Sequence, residues 1–161
     1  WDRVFARELP RVLNYFRFHG VETSVAEDLT ASTFEKAWRA RQSYLNEKSI
    51  VSTWLFTIAH HTMIDHFRAH KNELSLDVLD ILPDGHGSRH AEEAVQKTDE
   101  NERLRRFLVL LPERDQELIA LKYGAEMTNR MIAKQTGLSE SNVGTILNRI
   151  ILSLRRKMEE E

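Results

Sequence analysis

The sequence predicts an all-α protein made of two small helical domains joined by an acidic linker. Three observations carry this. No stretch of the 161 residues alternates as a strand would, whereas apolar residues recur at helical spacing along most of the chain. Only six Gly and three Pro interrupt a sequence rich in Leu, Glu, Arg and Ala. The net charge of −2 is spread unevenly: residues 1–71 hold 10 Lys+Arg against 8 Asp+Glu, residues 72–102 hold 2 against 9, and residues 103–158 hold 11 against 5. An acidic block thus separates two mildly basic segments. The expected divisions are a first domain over 1–71, a linker over 72–98 and a second domain over 99–158.

Each element follows from its pattern. Over residues 2–18, Phe5, Leu9, Val12, Leu13 and Phe16 keep the 3.6-residue period, and Pro10 is expected to bend or restart that helix. His19-Gly20 ends it. Thr23 or Ser24 can cap a second helix that runs to about Gln42, with Glu27 and Asp28 in the first turn, where the helix dipole favours anions. Its face is Val25, Ala26, Leu29, Thr33, Ala37 and Trp38, with Phe34 beside it. Residues 43–50 lose the period and read as a loop. A third helix spans about Ser52–His70, burying Trp54, Leu55, Ile58, Ala59, Thr62, Met63 and Phe67 and turning His60, His61, Asp65, His66, Arg68 and Lys71 outward. In the acidic block, Pro83-Asp-Gly-His-Gly is turn chemistry, preceded by an apolar run from Leu74 to Leu82 that suits docking on a domain or a partner. From Asp99 helices resume, with Leu104, Phe107, Leu108 and Leu111 on one stripe; Pro112 opens the next helix and Gly124 stops it.

The stretch 127–150 is the most informative. Thr128 and Ser139 can cap two short helices, and Gly137 sits at the turn, where a left-handed residue is cheapest in glycine. Ala133 is small enough for a close crossing. Val143, Ile146, Leu147, Ile150, Ile151 and Leu154 form the inner stripe of the second helix. A small residue, a turn glycine and a stripe at these offsets make a helix-turn-helix. The opposite face carries Ser141, Asn142, Thr145, Asn148 and Arg149, suited to base edges and phosphates, and Arg155, Arg156 and Lys157 follow on the same helix. In the first domain Tyr44 and Trp54 flank the loop; such aromatics stack on unpaired bases or pack in a core.

Composition excludes several classes. Without Cys there is no disulfide framework and no thiolate chemistry, which fits a reducing cytoplasm. No apolar run approaches the ~20 residues that span a bilayer, and no signal peptide is visible. His61, Asp65, His66 and His70 lie near one helix face, but no Cys adds to them, and solvation explains them better than zinc does. No phosphate loop or nucleophile elbow is present. The expectation is a protein that is not an enzyme, needs no cofactor or metal, takes no small-molecule substrate, inserts in no membrane and works in the cytoplasm.

Three segments together resemble one family. Ala26–Trp38 resembles the second segment of sigma region 2. Ser52–Arg68 resembles the promoter-melting and −10-reading segment. Leu110–Tyr123 with the helix-turn-helix resembles region 4. Their order, the acidic linker and the length are similar to the extracytoplasmic-function (ECF) group of sigma-70 RNA polymerase sigma factors. The resemblance implies that Asp28, Leu29, Phe34 and Trp38 dock on the β′ clamp helices of core polymerase and that region 4 meets the β flap. It implies that Tyr44, Asn46, Lys48, Trp54, His60, His61, Arg68 and Lys71 serve the −10 element and melting. Ser141, Asn142, Thr145, Asn148, Arg149 and Arg155 would read the −35 element. An anti-sigma factor is a further partner that the family commonly uses. The chain departs from the family at Ala31-Ser32, often Gln-Glu; at His60-His61, often Arg-Asn; after Arg68, where the basic run is sparse; and at Gly144 and Ile146, often basic. These departures imply modest DNA affinity without the polymerase. The competing expectation is a helix-turn-helix regulator with a sensory or partner-binding first domain, acting as a dimer without polymerase.

Overall fold

The computed structural model describes the backbone of residues 1–45, 50–76 and 92–160, and side chains over 1–44, 50–71 and 99–160. Helices α1 (Asp2–Phe18), α2 (Thr23–Leu45) and α3 (Val51–Leu76) build the first domain. The second contains α4 (Glu92–Val109), α5 (Glu113–Ile119) with a π-helical turn (Ala120–Gly124) at its end, α6 (Asn129–Thr136) and α7 (Glu140–Glu160). No strand occurs among the described residues. The all-α fold in two domains is as expected, with longer helices: α3 continues to Leu76 and α4 begins at Glu92, so helix covers both ends of the expected linker. Asn46 and Lys48 lie outside the described residues, as do most of the apolar run and the Pro83 turn.

The first core gathers Val12, Tyr15, Phe16, Ala26, Leu29, Phe34, Leu55, Phe56, Ala59 and Met63. Each large side chain removed from water contributes about 1.5–3 kcal/mol. Thr30 and Thr33 are buried on α2 without penalty, because their hydroxyls donate to the carbonyls of Ala26 and Leu29 at 2.7 Å. The second core is Leu108, Leu118, Ile119, Leu121, Met127, Ile132, Val143, Ile146, Leu147, Ile150 and Leu154.

Helix α1 departs from its expected stripe. It continues through Pro10 without a restart. Leu9 is 49% exposed, whereas Glu8 is fully buried. The Glu8 carboxylate accepts from Arg7 Nε at 2.8 Å, Arg11 Nη1 at 2.9 Å and Ser52 Oγ at 3.1 Å, so the buried charge is paired. Phe67, expected inside, is 45% exposed.

The two domains touch. α1 lies against the π turn of the second domain more extensively than against α2 or α3 of its own. Gly124 permits this. A Cβ there would stand 2.7 Å from the backbone of Tyr15 and 2.8 Å from Asn14. Across the same seam Arg11 Nε donates to the Ala125 carbonyl at 2.6 Å and Arg105 Nε donates to the Gly20 carbonyl at 2.7 Å.

Candidate nucleic-acid interface

The helix-turn-helix forms as its sequence dictates. Thr128 caps α6 by accepting from the Met131 amide at 3.2 Å, and Ser139 caps α7 by accepting from the Asn142 amide at 3.1 Å. Gly137 terminates α6 at φ 81°, a left-handed conformation in which its amide donates to the Ala133 carbonyl at 2.9 Å. Ile132 from α6 and Val143, Ile146, Leu147 and Ile150 from α7 are buried beneath. This packing fixes the roll of α7 about its axis. Ser141, Asn142, Thr145, Asn148, Arg149 and Arg155 are consequently all exposed on it. They form a polar face on a rigid support.

The second candidate face lies on α3. His61, Arg68 and Lys71 are exposed, and His60 is partly buried. Trp54 is half-buried, and its ring stands 4.8 Å from Tyr44 and 6.1 Å from Trp1. Trp1 also meets Trp38 edge-on at 6.3 Å, so aromatic residues from the N-terminus, α2 and α3 cluster together. Among the polymerase-docking candidates, Asp28 is exposed and Trp38 is 46% exposed, with the Arg41 guanidinium 3.9 Å over its ring. Leu29 (4% exposed) and Phe34 (8%) point into the core instead. They set the position of α2 from beneath, while Asp28 and Trp38 offer the surface. The stripe read from sequence could not separate these roles, because all four residues share about half of one helix.

His60 has an engagement that no sequence pattern showed. Glu117 of α5 sits at the seam between the domains. Its carboxylate accepts from the Tyr15 hydroxyl at 2.8 Å, and its Oε2 lies 2.8 Å from His19 Nε2 and 3.5 Å from His60 Nδ1. Burial alone would raise the Glu117 carboxyl; hydrogen bonds from the two imidazoles and their charges outweigh it and hold the group at about 2. The hydrogen bond to Glu117 raises His60 above its ordinary 6.5, against a lowering by burial, with the charges of Glu117 and Glu113 adding to the rise. Burial, then the Glu117 charge, pushes the Tyr15 hydroxyl well above 10. Thr57 of α3 meets Gln135 of α6 nearby, with Gln135 Nε2 donating to Thr57 Oγ1 at 3.0 Å. His66 and His70 stack at 4.9 Å, and no group of three or more His, Cys, Asp or Glu suited to a metal ion gathers among the described residues.

Comparison with known proteins decides the family. Sigma-70 region 2 matches residues 4–73, and Sigma-70, region 4 matches residues 101–154. The RNA polymerase sigma factor YlaC of Bacillus subtilis is 35% identical over 98% of this chain and 91% of its own length. The ECF RNA polymerase sigma factor RpoE of Cereibacter sphaeroides is 30% identical over 95% of this chain and 81% of that protein. The chain belongs to the ECF group of the sigma-70 family. It is a sigma factor, and its function is to direct transcription initiation by RNA polymerase. The fold also matches two solved structures. One is RpoE of Bartonella quintana in complex with the anti-sigma factor NepR, with a TM-score of 0.72 at 19% identity over 98% of this chain and 96% of that one. The other is CnrH in complex with the cytosolic domain of CnrY, with a TM-score of 0.72 at 20% identity over 99% and 88%. The α1–α3 domain is accordingly sigma region 2, and the α4–α7 domain is sigma region 4. Among the described residues no helix is long and apolar enough to cross a membrane.

Proposed function

We propose that this sigma factor reaches core polymerase through the exposed α2 surface of Asp28 and Trp38, seated on Leu29 and Phe34. Region 4 meets the β flap, and α7 reads the −35 element through Ser141, Asn142, Thr145, Asn148, Arg149 and Arg155. The α3 face with His60, His61, Arg68 and Lys71, the aromatic pair Tyr44 and Trp54, and, from the sequence, Asn46 and Lys48 take the −10 element and its melted strand. The single observation behind the −35 assignment is the capped, glycine-turned helix-turn-helix that presents those six side chains on one exposed face. Two modest DNA contacts held on one polymerase reinforce each other through effective concentration, so neither domain needs high affinity alone. Residues 1–71 and 99–158 are the working units and 72–98 the connection, whose acidity suits a basic polymerase channel. The protein acts without catalysis of its own, without cofactor, metal or small-molecule substrate, and in the cytoplasm, where the polymerase is. An anti-sigma factor is a fitting further partner, since RpoE of Bartonella quintana, which shares this fold, is solved in complex with one.

Mixing the chain with purified core polymerase tests the reading. A complex that co-elutes on size exclusion and retains promoter DNA supports it. A dimer that binds DNA without polymerase would instead favour a free-standing helix-turn-helix regulator.

A further inference from the structure

The residues proposed for the −35 element all lie on α7, but a side chain of α6 reaches the same face. Asn129 opens α6, and its Oδ1 accepts from Lys122 Nζ, in the π turn, at 2.9 Å. An ammonium offers donors and no acceptor, so the amide must turn its oxygen toward Lys122 and its NH2 group away. That NH2 group reaches α7. Nδ2 stands 3.5 Å from where a Cβ on Gly144 would be, and apart from that stretch of α7 itself nothing else lies within 4 Å of the point. Gly144 comes three residues after Ser141 and four before Asn148, so it shares their side of the helix. Among the described residues no protein acceptor serves Asn129 Nδ2. Asn129 and Lys122 are both partly exposed.

We propose that Asn129 grips a DNA phosphate beside the −35 element, oriented by Lys122 and given room by Gly144. The inference deepens the −35 reading of α7 and rests on it. In a helix-turn-helix the second helix enters the major groove while the first crosses the sugar-phosphate backbone. A donor at the start of α6, bordering the α7 face, therefore meets phosphate rather than a base edge, and it fixes register without reading sequence. The bare position at Gly144 then has a use. Glycine inside a helix costs stability, and neither a positive φ nor a close approach of protein backbone calls for it here. What it leaves is a gap beside two unpaired N–H donors, through which a phosphate oxygen can come within hydrogen-bond distance. Lys122 is a positioning residue. Without it the amide is free to turn its oxygen outward, toward the anion.

The test uses the full chain bound to core polymerase, on a duplex of a promoter recovered by run-off transcription. Methylphosphonate linkages, which neutralise one phosphate at a time, are placed across the −35 element. The parent should lose about tenfold in affinity at one linkage, as expected for a hydrogen bond to a charged group. N129A should bind the unmodified duplex about tenfold more weakly, whatever base pairs the −35 element carries, and should be indifferent to that linkage. N129D keeps an acceptor for Lys122 and removes only the NH2 donors, so it should fold as the parent does and bind no better than N129A. K122M should lose sensitivity to the same linkage and K122R should keep it, a pattern that a lysine serving the fold alone would not give. G144L should melt no lower than the parent, because Leu suits a helix better than Gly, yet bind DNA as weakly as N129A. N129A and N129D that bind as the parent does, a loss confined to one base pair, or G144L at full affinity would each overturn the assignment. Run-off transcription that recovers no promoter would instead overturn the sigma-factor reading beneath it.

Discussion

Asn148 and Arg149 stand exposed on α7. If each reads a base, alanine at either should weaken −35 binding by about 1–3 kcal/mol and relax preference at one base pair. Arg155 lies nearly two turns further along; alanine there should weaken all sequences alike and lower the salt dependence by about one unit of slope. Holoenzyme binding to a panel of −35 variants at two salt concentrations separates the cases. Glu117 makes a stability prediction. Its carboxyl lies at about 2 against 4.5 for an unperturbed one, so its contribution is present above pH 4.5 and fades as the pH falls through about 2. That difference corresponds to about 3 kcal/mol. The parent should therefore lose melting temperature on acidification below pH 4.5 more steeply than E117Q, which a calorimetric pH series would show. The exposed polar residues of α7 were legible in sequence, because one stripe buries one face and leaves the other outward. The Glu117 cluster was not. Two of its partners, His19 and Tyr15, lie 98 and 102 residues away along the chain, and no local pattern encodes a contact that only tertiary packing makes.

At the scale of elements, the helix-turn-helix depends on two caps and one glycine. T128A and S139A should each cost about 0.5–2 kcal/mol of stability, through loss of a hydroxyl that satisfies a helix amide. G137A should cost about 1 kcal/mol, because φ 81° strains any residue with a Cβ, although nothing lies within 4 Å of where that Cβ would go. Urea melts of the three variants check this, and a neutral G137A would contradict the left-handed cap. Every helix of the described residues was anticipated from periodicity. The misses lie where periodicity is silent. The far end of α3 and the start of α4 are polar turns that helix propensity tolerates, so both helices run further than their apolar stripes. The π turn at Ala120–Gly124 leaves no trace in the apolar spacing. It shows only in its backbone, where the Ala125 amide donates to the Ala120 carbonyl at 2.9 Å. On α2, Leu29 and Phe34 proved to be core supports, because helical spacing shows that residues share a face without showing how deep each one sits.

At the scale of the molecule, two helical domains meet through α1 and the π turn. The docking surface makes its own prediction. D28A and W38A, both on exposed positions of α2, should lower affinity for core polymerase while leaving the far-UV spectrum unchanged, and normal co-purification with core would move the docking surface elsewhere. The charge distribution already announced two domains. What it could not announce is that they meet, since the hydrogen bonds across the seam join residues whose neighbours in sequence look like ordinary helix surface. The most direct test of the whole account is run-off transcription on a genomic promoter library, using purified core polymerase with and without this chain. The account predicts discrete transcripts that appear only when the chain is present, and start sites preceded by two shared elements at constant spacing. An unchanged transcript profile, or promoter DNA bound equally well without polymerase, would contradict it.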